Sequence, residues 1–197
     1  MRKLFLSAVL TLASPVLWAF SAEELAKTLQ KPANIQGTFT QQRHLKSLEK
    51  PMTTGGKFVL VPKRGLLWQM QKPFAATLRV RSDGIMQWNG KSWTAAQSGR
   101  MSGQTRQIRL FLDLLGGNTQ GLQKQFDLKL SGTAQKWTLQ LLPKTPVMKQ
   151  VFHKIELNGD QLVRKIELHE KQGDRTVMQF DGIRTNQPLE TFVQQSL

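Results

Sequence analysis

Short runs of alternating apolar and polar residues fill most of the chain from Ile35 onward, and Gly, Pro, Asn-Gly and Asp-Gly separate them. This pattern predicts antiparallel strands joined by tight turns. Eleven such runs are IQGTFTQQR, GGKFVLVP, GLLWQMQ, ATLRVRS, GIMQWN, KSWTAA, FDLKLSG, KWTLQLLPK, FHKIELNGD, QLVRKIELHEK and RTVMQFDGI. A sheet of about eleven strands is too large to stay flat, so we expect a barrel or half-barrel of the mainly β with α class.

Two segments have helical spacing instead. SAEELAKTLQKP begins at a potential cap, Ser21, has Glu24 three positions later and ends at Pro32. The central segment QIRLFLDLLGG places four apolar residues on one helical face, namely Ile108, Phe111, Leu112 and Leu115. Leu110 and Leu114 add apolar surface on the other side. A helix that is apolar nearly all round is buried or lies across something apolar, so we expect a plug or lid on the concave face.

The first 21 residues have the layout of a secretory signal peptide. Arg2 and Lys3 precede the apolar run Leu4–Trp18, and small residues follow it. Cleavage is expected after Ala19 or after Ser21. A membrane anchor or a buried N-terminal helix is the alternative, but the run is short for a membrane span.

The mature chain would span residues 22–197, which is enough for a single domain with a full core. The sequence contains no cysteine, so it lacks the thiol that acylation of a bacterial lipoprotein needs, and it forms no disulfide. We therefore predict an exported, soluble and monomeric protein of a Gram-negative periplasm.

The chain is strongly basic, with a formal net charge of +15. Such a charge is typical of proteins that meet nucleic acid, an anionic surface or an acidic partner. Export and the dispersal of the basic residues, with no Arg-rich run, argue against a nucleic-acid partner. A solvated cationic exterior and a surface that contacts anionic headgroups or acidic proteins stay open as alternatives.

Catalytic and metal-binding patterns are missing from the sequence. His44, His153 and His169 lack metal-ligand spacing. There is no nucleophile elbow, phosphate-binding loop or suitably spaced pair of carboxylates. We therefore predict a protein that is not an enzyme and needs no metal or cofactor; an enzyme would require a reactive cluster assembled from distant strands.

One face of four successive strands collects large apolar side chains if the alternation is followed along each strand. The predicted wall consists of Phe58, Leu60, Trp68, Met70, Leu78, Val80, Met86 and Trp88. Two interpretations compete, a packed core beneath the central helix and the lining of a cavity for an apolar ligand. Trp and Met favour the cavity because they suit surfaces that repack around variable ligands.

In their order along the chain, these segments resemble the periplasmic outer-membrane lipoprotein carrier proteins, the LolA family. The likeness is best from Gly37 to Asn89 and rests on GTFTQQR, GGKF, RGLLWQMQKPF, DGIMQWN and FLDLLGG. Its specific parts are Phe39 with Gln41, then Arg64, Trp68 and Pro73, and the turn Asp83-Gly84. The segment RHLKSLEKPMTTGGKF indicates a divergent branch of the family.

The resemblance implies an incomplete antiparallel β-barrel closed by lid helices around a hydrophobic cavity for the acyl chains of a lipoprotein. It implies an inner-membrane ABC transporter as donor and an outer-membrane receptor as acceptor. It also makes Arg64 the candidate for an arginine that latches the lid helices by hydrogen bonds, with Lys63 as the alternative. In a divergent branch, the cargo is a lipoprotein or a different acylated or polyene lipid of the envelope.

A function of another class stays open beside the carrier. A non-catalytic scaffold of the envelope would have a solidly packed barrel and a basic surface that docks an anionic partner. A cavity that accepts an apolar ligand would distinguish the carrier from the scaffold.

Overall fold

The computed structural model describes residues 20–96 and 110–197. Within these residues, eleven strands form one antiparallel sheet. The strands are β1 (Ile35–His44), β2 (Met52–Val61), β3 (Gly65–Lys72), β4 (Ala76–Arg81), β5 (Gly84–Trp88), β6 (Trp93–Ala95), β7 (Phe126–Thr133), β8 (Lys136–Pro143), β9 (Phe152–Gly159), β10 (Val163–Glu170) and β11 (Arg175–Thr185). Their order in the sheet is β6-β5-β4-β3-β2-β1-β11-β10-β9-β8-β7.

The sheet is an incomplete barrel. Its edge strands β6 and β7 each pair with a single neighbour, β5 and β8, so the sheet does not close on itself. The two halves of the sheet join in the middle, where β1 pairs with β11 along almost its whole length. This architecture confirms the predicted fold class.

Five short helices accompany the sheet in the described part of the chain. They are α1 (Ala22–Gln30), α2 with described residues 110–115, α3 (Thr119–Gln123), α4 (Pro146–Val151) and α5 (Thr191–Ser196). The last three are absent from the sequence prediction, because five or six residues carry too little helical periodicity to be recognised. None of the helices in these ranges has the length and apolar character needed to cross a membrane.

The predicted start of α1 is confirmed by its capping box. The Ser21 hydroxyl accepts a hydrogen bond from the backbone N–H of Glu24, and the Glu24 carboxylate accepts one from the backbone N–H of Ser21. The rest of the predicted signal peptide, residues 1–19, lies outside the described residues.

The main core, called here the inner core, lies on the concave face of the sheet. It contains side chains from both halves of the sheet, such as Phe58 of β2 and Ile155 of β9, together with Leu25 of α1 and Phe111 of α2. Because strands from both halves contribute to one cluster, the sheet must wrap around it. The two helices therefore fill the interior of the half-barrel.

A second, smaller core lies on the convex face, where α5 covers β2 and β3. Val59, Val61 and Leu67 pack there against Val193 and Leu197. These two strands are consequently buried on both faces, which explains why their sequences contain runs of consecutive apolar residues instead of a strict alternation.

Candidate functional site

The concave face of β2, β3 and β4 forms an apolar wall. Five of the predicted wall residues are at most 1 % exposed, namely Phe58, Leu60, Trp68, Leu78 and Val80. Met70 packs against the same core and is partly exposed. The strand register brings them together, because Phe58 lies opposite Trp68 and Trp68 lies opposite Leu78, and opposite residues share one face.

Trp68 lies at the centre of this wall among three aromatic rings. Phe39 of β1 stacks on it with ring centroids 3.7 Å apart and planes at 22°. Phe111 of α2 stacks on it as well, with centroids 5.8 Å apart and planes at 24°. Phe58 is tilted against it at 6.3 Å. Helix α2 thus contacts the wall directly through the ring of Phe111.

The residues predicted to form the lid face of α2 differ in burial. Phe111 and Leu115 are buried as expected, and Leu114 is buried with them at 1 % exposure. Leu112 is only partly buried, and it lines a cavity beside the helix. Ile108, the fourth predicted lid residue, lies outside the described residues.

A hydrogen bond between α1 and the loop after α2 holds the two helices together. The Gln30 side-chain N–H donates to the backbone oxygen of Gly117 at 2.8 Å. Gly117 has φ +63°, and a Cβ there would approach the Cβ of Leu29 to 2.9 Å, so the close approach requires glycine. Gln30 is a functional candidate that sequence reasoning missed, since a polar residue at a helix end gives no signal of its distant partner.

Among the described residues, Arg64 hydrogen-bonds to the end of α5 and not to α1 or α2. Its Nε donates to the backbone oxygen of Leu197 at 3.0 Å, and its Nη2 lies 3.5 Å from the backbone oxygen of Gln194. Both acceptors belong to the end of α5 on the convex face, so the latch role of Arg64 stays a prediction. Lys63, the alternative latch, makes no hydrogen bond to α1 or to the described residues of α2.

Met86 and Trp88 lie on the convex face, apart from the wall to which they were predicted to belong. The β4–β5 hairpin pairs Arg79 with Met86 and Val80 with Ile85. Ile85 therefore takes the concave position and packs against the inner core. The prediction failed because β5 has apolar residues on both faces. Its composition therefore does not show which residues face the concave side.

The convex side of β5 carries an aromatic cluster of its own. Trp88 lies 5.3 Å from Trp93 and 5.4 Å from Phe192 of α5, measured between ring centroids. The Arg79 guanidinium lies 5.1 Å from the Trp93 ring centroid and 3.6 Å from an Asp83 carboxylate oxygen. Trp88 and Trp93 thus attach α5 to the convex side of the sheet through Phe192.

A cavity of about 360 Å³ opens beside the C-terminal end of α2. The β2–β3 turn, the β4–β5 turn and the ends of α1 and α2 surround it. Leu60 and Leu112 form an apolar part of its lining. Lys63, Arg64 and Arg81 form a cationic part. The cavity therefore joins the apolar wall to a basic rim.

The described residues contain no group of His, Asp or Glu side chains arranged to hold a metal ion. His44, His153 and His169 nevertheless line one open pocket together with Glu170 at the opposite end of the sheet. Burial lowers the pKa of His169, and the nearby charge of Lys154 lowers it further. This pocket lies away from the wall and the lid.

Solved structures of other proteins share this fold. A LolA superfamily protein, NE2245 from Nitrosomonas europaea, has a solved structure with a TM-score of 0.52 and 9 % identity, over 89 % of this chain and 97 % of that chain. The Pseudomonas aeruginosa MucA/MucB complex gives a TM-score of 0.50 and 17 % identity, over 88 % of this chain and 58 % of that chain. The chain thus spans a little over half of that second relative. At these identities the likeness shows the fold alone.

Sequence comparison goes further than the structural likeness. No curated protein sequence matches the chain. A family model described as outer membrane lipoprotein carrier protein LolA-like matches residues 14–187. Because this match covers most of the chain, the protein belongs to the LolA-like family of outer membrane lipoprotein carrier proteins.

Proposed function

We propose that this protein is a periplasmic carrier that holds the acyl chains of a lipoprotein, or of a related envelope lipid, between the concave wall and α2. The stacking of Phe111 on Trp68 carries the proposal, because the helix covers the wall with apolar side chains that an acyl chain can replace. Membership of a family described by lipoprotein carriage supports it. The proposed action involves no catalysed reaction, metal or cofactor.

Competition between helix and cargo gives an affinity suited to transfer. Burying an acyl chain of about fifteen methylenes contributes about 0.8 kcal/mol each, or roughly 12 kcal/mol before association costs. Phe111, Leu114 and Leu115 are buried in the same interior, and each contributes about 2 kcal/mol to keeping the helix in place. Displacing them offsets about half of the gain, so the carrier can both load and unload.

The proposed route starts at an inner-membrane ABC transporter and ends at an outer-membrane acceptor. The signal peptide of residues 1–21 delivers the chain to the periplasm, and residues 22–197 form a single carrier domain that works as a monomer. The basic exterior, with a formal net charge of +15 for the whole chain, suits contact with anionic membrane surfaces.

Two single-tryptophan variants test where an acyl chain binds. In the first, Trp88, Trp93 and Trp137 become Phe, which leaves Trp68 on the concave wall of the mature chain. In the matched control, Trp68, Trp93 and Trp137 become Phe, which leaves Trp88 on the convex face. Both are titrated with a fatty acid brominated in its chain, because bromine quenches indole fluorescence only at short range.

We expect the brominated chain to quench Trp68 strongly and Trp88 weakly. Equal quenching, or quenching of Trp88 alone, would place the chain outside the half-barrel and contradict the proposed site. Mass spectrometry of lipid extracted from gently purified native protein then identifies the cargo. An acylated peptide indicates lipoprotein carriage, and a different acyl or polyene lipid indicates the related envelope lipid.

A binding scaffold is the second candidate function. The filled interior favours it, because Trp68 and Phe111 are at most 1 % exposed and the half-barrel is closed by its own helices. MucB, which shares the fold, has been solved in complex with MucA. Failure of both the brominated fatty acid and native extraction to reveal any bound lipid would favour this scaffold over the carrier.

A further inference from the structure

The cavity beside the end of α2 collects positive charge that is poorly neutralised. Lys63, Arg64 and Arg81 line it, and Asp113 is the one carboxylate among its described lining residues. Asp113 already accepts a hydrogen bond from the Asn118 side chain at 3.0 Å. The cavity lining thus keeps a surplus of cations.

The ion pairs formed by the basic residues of the cavity do not cancel its excess of positive charge. Arg81 lies 3.7 Å from an Asp83 carboxylate oxygen in an exposed turn, a weak contact that solvent screens. Lys63 forms no ion pair with any described residue. Arg64 donates to an oxygen of Leu197 and lies 3.5 Å from the backbone oxygen of Gln194, which fixes its guanidinium at the rim of the cavity.

The backbone at Lys63 gives a second, independent observation. Pro62 and Lys63 are the central residues of a turn closed by a hydrogen bond from the Arg64 N–H to the Val61 oxygen. Lys63 has φ +66°, at a turn position where glycine or asparagine is preferred. The turn therefore fixes the Lys63 backbone at the rim of the cavity.

The apolar side of the cavity connects this basic rim to the wall. Leu60 lines the cavity and is also a fully buried residue of the wall. Leu112 of α2 lines it from the lid side. A ligand with its anionic group between Lys63, Arg64 and Arg81 can therefore direct an acyl chain along Leu60 toward Trp68.

We propose that this cavity binds the phosphate group of the cargo, so that the carried lipid is one with a phosphorylated headgroup. This inference rests on the proposed carrier function and adds the chemical class of the headgroup. A cationic cluster next to a low-dielectric interior strengthens charge-assisted hydrogen bonds to phosphate.

The test compares two ligands that differ only in the phosphate. The mature protein is titrated by calorimetry with lysophosphatidic acid and with the monoacylglycerol that has the same acyl chain, both below the concentrations at which they form micelles. We expect lysophosphatidic acid to bind about tenfold more tightly, as one or two charge-assisted hydrogen bonds would give. The preference should shrink as salt is added.

Lys63→Gly is the diagnostic variant, because glycine accepts the positive φ while the ammonium group is lost. It should fold at least as stably as the parent and lose most of the preference for the phosphate. Lys149→Gln, which removes one positive charge from exposed α4 at the opposite end of the barrel, should keep the preference.

Each alternative result of these titrations contradicts the phosphate site, and each points to a different explanation. Equal binding of the two ligands refutes the phosphate site and leaves the carrier intact, whereas binding of neither refutes the carrier itself and the phosphate site with it. A phosphate preference that Lys63→Gly leaves unchanged puts the anion elsewhere. Inorganic phosphate that binds the cavity as tightly as lysophosphatidic acid shows a free-anion site instead of a lipid headgroup site.

Discussion

The ring of Phe111 stacks on the indole of Trp68 with ring centroids 5.8 Å apart, so α2 touches the centre of the concave wall. Both residues are at most 1 % exposed. The contact joins α2 directly to the sheet. Weakening this contact should therefore lower the free energy of unfolding and, at the same time, tighten the binding of an acyl ligand.

Phe111→Ala tests this coupling. Loss of a buried aromatic ring should reduce the free energy of unfolding by about 3–5 kcal/mol. It should also tighten the binding of a neutral acyl ligand, because less apolar surface on the helix competes for the wall. Urea unfolding and a titration with monoacylglycerol measure the two effects.

Phe74→Ala is the matched control, since the Phe74 side chain is 82 % exposed. It should change neither quantity appreciably. Weaker acyl binding by Phe111→Ala would show that the ring contacts the cargo instead of competing with it.

Gln30→Leu removes the hydrogen bond that joins α1 to the loop after α2 while keeping a similar side-chain size. A hydrogen bond of this kind contributes about 1 kcal/mol, so the lid should open more often and acyl exchange should speed up about fivefold. Stopped-flow transfer of a fluorescent fatty acid to vesicles measures the rate. Gln150→Leu on the exposed face of α4 is the control, and equal rates for the two variants would exclude Gln30 as a lid contact.

Arg64→Leu should weaken the attachment of α5 rather than the lid. It removes the donors to the backbone oxygens of Leu197 and Gln194, and such hydrogen bonds from a charged group contribute about 1.5–3 kcal/mol. We expect lower stability and faster proteolysis of the C-terminal segment, with unchanged uptake of a neutral acyl ligand. Arg184→Leu, at an exposed position on β11, should leave both unchanged, and altered neutral uptake in Arg64→Leu would restore the latch interpretation.

Local patterns predict most of the sheet and the lid helix. Alternation within each strand and the turn residues between strands give the eleven strands, and the Ser21 cap gives the start of α1. These features depend on neighbours only a few residues apart. A short stretch of sequence therefore contains all the information they need.

Long-range pairing is what local patterns cannot predict. Arg64 bonds to residues about 130 positions away, and nothing near it indicates α5 as the partner. The same helix covers the convex face of β2 and β3. Because this makes both faces of neighbouring strands apolar, composition could not assign Met86 and Trp88 to a face, and only the register of the β4–β5 hairpin does so.

The outer face of β9 to β11 should make stability depend on pH. Burial, and then the charge of Lys154, lower the pKa of His169 below its usual value of 6.5, while Glu167 and Glu156 oppose the shift and Arg175 adds to it. As the pH falls, the unfolded chain takes up this proton before the folded one. The stability present above about pH 6.5 is therefore lost as the pH falls toward the folded-state pKa.

His169→Gln should lose less stability than the parent between about pH 7 and about pH 5. The carboxyl of Glu167 does not obscure the comparison, because Lys165 lowers its pKa and keeps it ionised over this range. Urea midpoints at several pH values measure the effect. A parent and a variant whose midpoints fall in parallel would show that His169 has no part in the loss of stability and would contradict this prediction.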